Sequence, residues 1–127
     1  MIPNKWQAQE AFWNNFDLPA FDENTVPDDA AMPYITYEAF SGVLNGQRQV
    51  RANLWYRDEE WAAISQKADE IGQKIYDEVL PAIKTQNGFL MVRIPENTPF
   101  AQRMEEPTDK GVRRILITVN MEFLSNY

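Results

Sequence analysis

The stretch Gln49-Val50-Arg51-Ala52-Asn53-Leu54-Trp55-Tyr56 alternates in character, with Val50, Ala52, Leu54 and Tyr56 on one side and Arg51, Asn53 and Trp55 on the other. Successive side chains of a strand point to opposite faces, so this reads as a strand with one apolar face. Upstream, Tyr34 to Phe40 is rich in Tyr, Ile, Thr and Phe, and Gly42 with Asn45-Gly46 marks a turn between the two runs. Together they predict a β-hairpin. If the even-numbered side meets the core, Trp55 points outward beside Arg51 and Arg57, unless a helix covers it.

Beyond the hairpin the period changes from two to that of a helix. Trp61, Ile64, Ala68, Ile71, Ile75 and Val79 recur at spacings of three and four, with Asp58 placed as N-cap, Glu59 and Glu60 in the first turn and Pro81 closing the pattern. Gly72 interrupts this helix at about 1 kcal/mol relative to Ala, a cost that close approach to a strand would justify. Asn87-Gly88 signals a turn before a third strand, Phe89 to Ile94, and Arg113 to Leu124 reads as the longest strand, with Ile115, Ile117, Val119, Met121 and Phe123 on one face. Its other face carries Arg114, Thr118, Asn120 and Glu122, a side left wet or covered by a partner.

Working back to the start, Trp6, Phe12, Trp13 and Phe16 share a broad face of a helix from about Asn4 to Phe16, ended by Leu18-Pro19. Ala20 to Pro33 reads as a loop carrying Asp22, Glu23, Asp28 and Asp29, with a path preset by Pro27 and Pro33. Pro33 can open the following strand, where its missing N–H matters little. The predicted fold is therefore α+β: an antiparallel four-stranded sheet with helices mainly on one face, in the order α-β-β-α-β-β. The 127 residues suit a single domain, 1–127.

Composition narrows the chemistry. The chain has no Cys and no His, which removes disulfides, thiolate metal sites, the usual zinc ligand and the commonest general base. Ser41, Ser65 and Ser125 have no activating partner, and the five glycines form no phosphate-binding loop. The acidic loop lacks the alternating Asp-x-Asp-x-Asp-Gly order of a calcium loop, and Pro27 restricts its wrapping, so it reads as a solvated loop. No catalytic residue, cofactor site or metal site is predicted, and the chain reads as a non-enzyme.

Net charge is −7, of which residues 1–63 carry −6, from ten acidic and four basic side chains. Such a surface gains nothing from phosphate neutralisation, so stable nucleic-acid binding is not expected. No signal peptide is visible, and the longest apolar run, Phe89-Leu90-Met91-Val92, is far too short to span a membrane. The chain reads as soluble, with no membrane partner.

Two features ask for a partner. The connection Pro95–Val112 is eighteen residues long, and its centre, Phe100-Ala101-Gln102-Arg103-Met104, carries residue types enriched at interfaces. Trp55 with Arg51 and Arg57 is the second. The interface candidates are thus Trp55, Arg51, Arg57, Phe100, Gln102, Arg103 and Met104.

The run Val26-Pro27-Asp28-Asp29-Ala30-Ala31-Met32-Pro33-Tyr34-Ile35-Thr36-Tyr37 resembles the segment leading into the first strand of tail-terminator (tail-completion) proteins of long-tailed bacteriophages. The likeness continues through Leu54-Trp55-Tyr56-Arg57, the helix after it, Pro99-Phe100-Ala101-Gln102-Arg103-Met104, Arg113-Arg114-Ile115 and Glu122-Phe123-Leu124, in order along nearly the whole chain. None of these pieces is a chemical signature; the match is one of overall pattern. The resemblance implies a minor structural protein of the virion's tail–neck region, assembled in the host cytoplasm, without cofactor or catalysis. It implies a homo-oligomeric ring, commonly a hexamer, that caps the tube of the major tail tube protein, stops its polymerisation and offers a surface to the head–tail connector. In such a ring Asp22, Glu23, Asp28 and Asp29 would face the channel, where like-charge repulsion lets DNA slide through without binding. A head–tail joining protein of the neck is the close alternative. A small acidic binding protein acting as a monomer is the alternative from a different class.

Overall fold

The computed structural model describes residues 3–41, 46–77, 82–86 and 88–125. Along them run helix α1 (Lys5–Trp13), strands β1 (Ala20–Asp22), β2 (Tyr34–Tyr37) and β3 (Gln47–Arg57), helix α2 (Ala62–Asp77), and strands β4 (Ala82–Thr85), β5 (Gly88–Arg93), β6 (Ala101–Met104) and β7 (Val112–Ser125). The strands form one curled, half-barrel sheet in the order β1-β2-β3-β7-β5-β4, with β6 also on β7. β1 runs parallel to β2, and every other neighbouring pair is antiparallel.

This overturns the expected antiparallel four-stranded sheet: among the described residues there are seven strands, and the sheet is mixed. The three extra strands are β1, β4 and β6, of three or four residues each. Runs so short show no period-two pattern, and two of them lie in what the sequence presents as loops, Ala20–Pro33 and Pro95–Val112. The turn residues Gly42 and Asn45, the helix-closing Val79 and Pro81, and Asn87 lie outside the described residues.

β3 and β7 form the spine, in register from Gln47 opposite Glu122 to Arg57 opposite Val112. Val50, Ala52 and Leu54 thereby line up with Val119, Ile117 and Ile115 on a single face, and all six are buried. α2 lays Ile64, Ala68, Ile71 and Ile75 into the same core, and α1 adds Ala8, Phe12 and Trp13. β7 is fourteen residues long, roughly 45 Å at strand rise. That length lets β5 and β6 share its second flank. Arg93 of β5 faces Asn120 and Ala101 of β6 faces Ile117, so eight steps on one side match three on the other. Five residues are thus inserted into an otherwise continuous partner strand.

α1 is shorter than its aromatic spacing suggests. Asn4 and Gln7 form a reciprocal capping box, with each side chain accepting from the other's backbone N–H at 2.9 and 3.0 Å. The helix ends at Trp13, Phe16 just beyond it packs edge-on against Phe12, ring centroids 5.3 Å apart, and Asp17, at φ 61°, then redirects the chain. α2 begins later than expected. Asp58 accepts from the Glu60 N–H in a local turn, and the Trp61 carbonyl takes the first helical hydrogen bond, from Ser65. Asp58 is therefore not the N-cap.

Gln9 is wholly buried. Its carboxamide donates to the Phe40 carbonyl at 2.8 Å and accepts from the Phe40 N–H at 3.0 Å, replacing a strand neighbour for the chain just beyond β2. Gln9→Leu leaves both Phe40 groups buried and unpaired, each costing about 1–3 kcal/mol. The expected loss is about 3 kcal/mol of stability, read as a lower midpoint in urea unfolding; an unchanged midpoint would show that water satisfies them.

Burial pushes the Tyr37 phenol above its ordinary 10.0, and the nearby Glu10 and Asp22 push it the same way. A raised folded-state pKa means that the fold favours the neutral phenol. The contribution is complete below the unfolded value and is lost as pH rises through the folded one. Thermal unfolding between pH 8 and 11.5 should show stability falling above about 10, with a shallower fall in Tyr37→Phe.

Candidate functional site: the outer face of the β2-β3-β7-β6 row

The register aligns four strands in one row, so that Trp55 of β3 lies between Tyr34 of β2 and Arg114 of β7, and Arg114 in turn faces Met104 of β6. Strand alternation puts these residues opposite the core, together with Arg51, Asn53, Gln102 and Leu116. Trp55 is half-buried on this outer face. Its indole N–H donates to Thr36 Oγ1 at 2.9 Å, and the Arg114 guanidinium lies 5.4 Å from its ring centre.

Arg114 is the hub. Its Nε donates to Glu106 Oε1 at 2.8 Å and its Nη1 to Asn53 Oδ1 at 3.0 Å. Both charged side chains of the Arg114–Glu106 pair are 22% exposed, so water screens this pair less than a fully exposed one. Thr36, Asn53, Trp55, Glu106 and Arg114 thus come from β2, β3, β7 and the turn after β6, held in one network. Arg114 belongs to the polar face that the alternation of β7 reveals, whereas Glu106 carries no periodic signal, and only the strand register shows that they meet Trp55.

The other interface candidates separate. Arg57 ends β3 and pairs with Asp109 at 3.3 Å. Asp109 also accepts from the Gly111 N–H, and that bond together with Arg57 lowers its carboxyl pKa. Arg51 and Gln102 are exposed and Met104 is half-buried on the outer face. Arg103 turns the other way: its guanidinium lies 4.9 Å from the Trp61 ring centre and donates to Ser65 Oγ at 3.3 Å. Phe100 packs against α2, where a Cβ added to Gly72 would sit 3.0 Å from its ring. The close approach that Gly72 permits is therefore to a side chain at the foot of β6, rather than to a strand backbone.

The acidic residues do not act as one loop. Asp22 belongs to β1 and accepts from the Asn24 N–H, while Glu23, Asp28 and Asp29 are exposed beyond it. Among the described residues no three carboxylates converge as a metal site would require. No helix described is long and apolar enough to cross a membrane. No protein-family model, curated protein or solved structure matches the chain.

Gly72→Ala sets a helix-propensity gain of about 1 kcal/mol against crowding of Phe100. Crowding should win in the native background, so that Gly72→Ala lowers stability, whereas in a Phe100→Ala background the same change should raise it. A double-mutant cycle by thermal unfolding measures this, and additivity would mean that Phe100 moves aside freely.

Proposed function

We propose that the chain is a structural subunit of a phage tail neck, forming a homo-oligomeric ring, most simply a hexamer, on the finished tail tube. The ring ends polymerisation of the tube protein and offers a docking surface to the head connector. One observation carries the reading. The segments Leu54–Arg57, Pro99–Met104 and Arg113–Ile115, which bear the tail-terminator resemblance, are far apart in sequence but neighbours in the fold. On the outer face Trp55 faces Arg114, which faces Met104, while Leu54, Ile115 and Arg103 line up behind them on the core side. A shared pattern gathered in one strand row is what a common assembly surface requires.

The composition of that row supports the same reading. An aromatic, arginines, a thioether and amides on a face without a covering helix are residue types that interfaces favour. The net charge of −7 agrees with a surface past which DNA moves without sticking. No step of this role requires a nucleophile, a cofactor or a metal.

Electron microscopy of the purified protein mixed with tube subunits, without heads, tests the proposal. Rings and tubes of arrested length closed at one end are expected. Tubes growing at the same rate and to the same lengths as without the protein would overturn it. Capping only when heads are present would favour a head–tail joining role. A monomer at every concentration that leaves tubes uncapped but binds a basic protein in a salt-sensitive manner would favour the acidic binding protein.

A further inference from the structure

On the far side of the molecule, where α1 crosses β1, Trp6, Glu10, Asp22 and Tyr37 line an open cleft of about 290 Å³. Trp6 is 52% exposed, although burying an indole is worth more than burying most side chains. Trp6 and Glu10 stand four residues apart on α1, so helical geometry puts them on one face. Asp22 approaches from β1, where it lies opposite Tyr37 in the parallel β1–β2 pair. Glu10, Asp22 and Tyr37 thus share the lining of one cleft. Among the described residues neither Glu10 nor Asp22 has a cation within ion-pair distance.

The cleft thus gathers two carboxylates with no counter-charge among the described residues, and an indole left open beside them exposes a π-face. A cation answers both conditions at once. A planar guanidinium fits best, because it can stack on the indole while its fork of N–H donors reaches oxygens at different positions. An ammonium concentrates its charge at a point and cannot stack. We propose that this cleft binds the guanidinium of an arginine side chain presented by a partner protein. The cleft touches the row only through Tyr37, on the face of β2 opposite Trp55 and Arg114, and its role stands whether or not the chain forms rings.

The probe is N-acetyl-arginine methylamide, titrated into the ¹⁵N-labelled full chain. The Trp6 indole resonance, assigned through Trp6→Phe, and the amides of Asp22 and Tyr37 should shift saturably. The citrulline analogue, which keeps the shape and lacks the charge, should bind at least tenfold more weakly, and the lysine analogue several-fold more weakly. Glu10→Gln combined with Asp22→Asn should lower arginine affinity at least tenfold; Asn retains an acceptor for the Asn24 N–H, and an otherwise unchanged spectrum verifies folding. Equal binding of citrulline and arginine, an undiminished affinity in the double variant, or no saturable shift would each overturn the assignment. Lysine binding as well as arginine would overturn the choice of guanidinium.

Discussion

The registered ladder between β3 and β7 is the constraint on which the other parts of this molecule depend. A strand side chain has only two faces to choose from, so one fixed pairing decides the direction of every residue on both strands. With Val50 set against Val119, the buried face is fixed, and so is the outer set of Arg51, Asn53, Trp55 and Arg114. A slip of one residue would move Val50, Ala52 and Leu54 to the solvent side and push Arg51 into the core. The core packed by α2 and the polar network around Arg114 therefore share one origin.

Carboxamides finish what the ladder begins. Gln9 engages the N–H and C=O of Phe40, and Asn14 engages those of Ala20, accepting at 3.1 Å and donating at 3.4 Å. Both sit on or beside α1, and each occupies backbone groups that a strand neighbour would otherwise take. At Ala20 this protects β1 against unwanted pairing with another chain, the hazard of any open edge. β6 pairs with β7 on one side, and among the described residues no side chain takes the place of a strand on its other edge.

Sequence legibility followed element length. β3, β7 and α2 carry enough residues for their periods to show, and they hold most of the core. The antiparallel meeting of β2 with β3 followed from apolar patterning and turn chemistry, whereas no turn signal stands between β5 and β7, which meet across a long connection. β1 and β6 were hidden because three or four residues cannot display alternation, and the polar pair Gln102-Arg103 in β6 reads as loop. Of the site residues, Trp55 was visible through the alternation of β3. Its partners were not, because Arg114 and Glu106 meet it through tertiary register. Gln9 gave no signal: nothing in the sequence marks a helical glutamine as buried until the backbone groups it must satisfy are known. Arg103 lies in an interface-like run, yet its cation–π contact with Trp61 turns it back onto its own chain.

The five residues inserted between β5 and β6 also divide the molecule mechanically. Without them, one strand would tie both halves of β7 into a single cooperative ladder. With them, β5 and β6 form two separate ladders on β7, of six pairs and four, so a break in one is not carried along a continuous partner strand into the other. The β6 margin is also where Phe100 and Arg103 grip α2, so its opening would release the flank of the helix and bare the edge of β7 from Arg114 to Ile117.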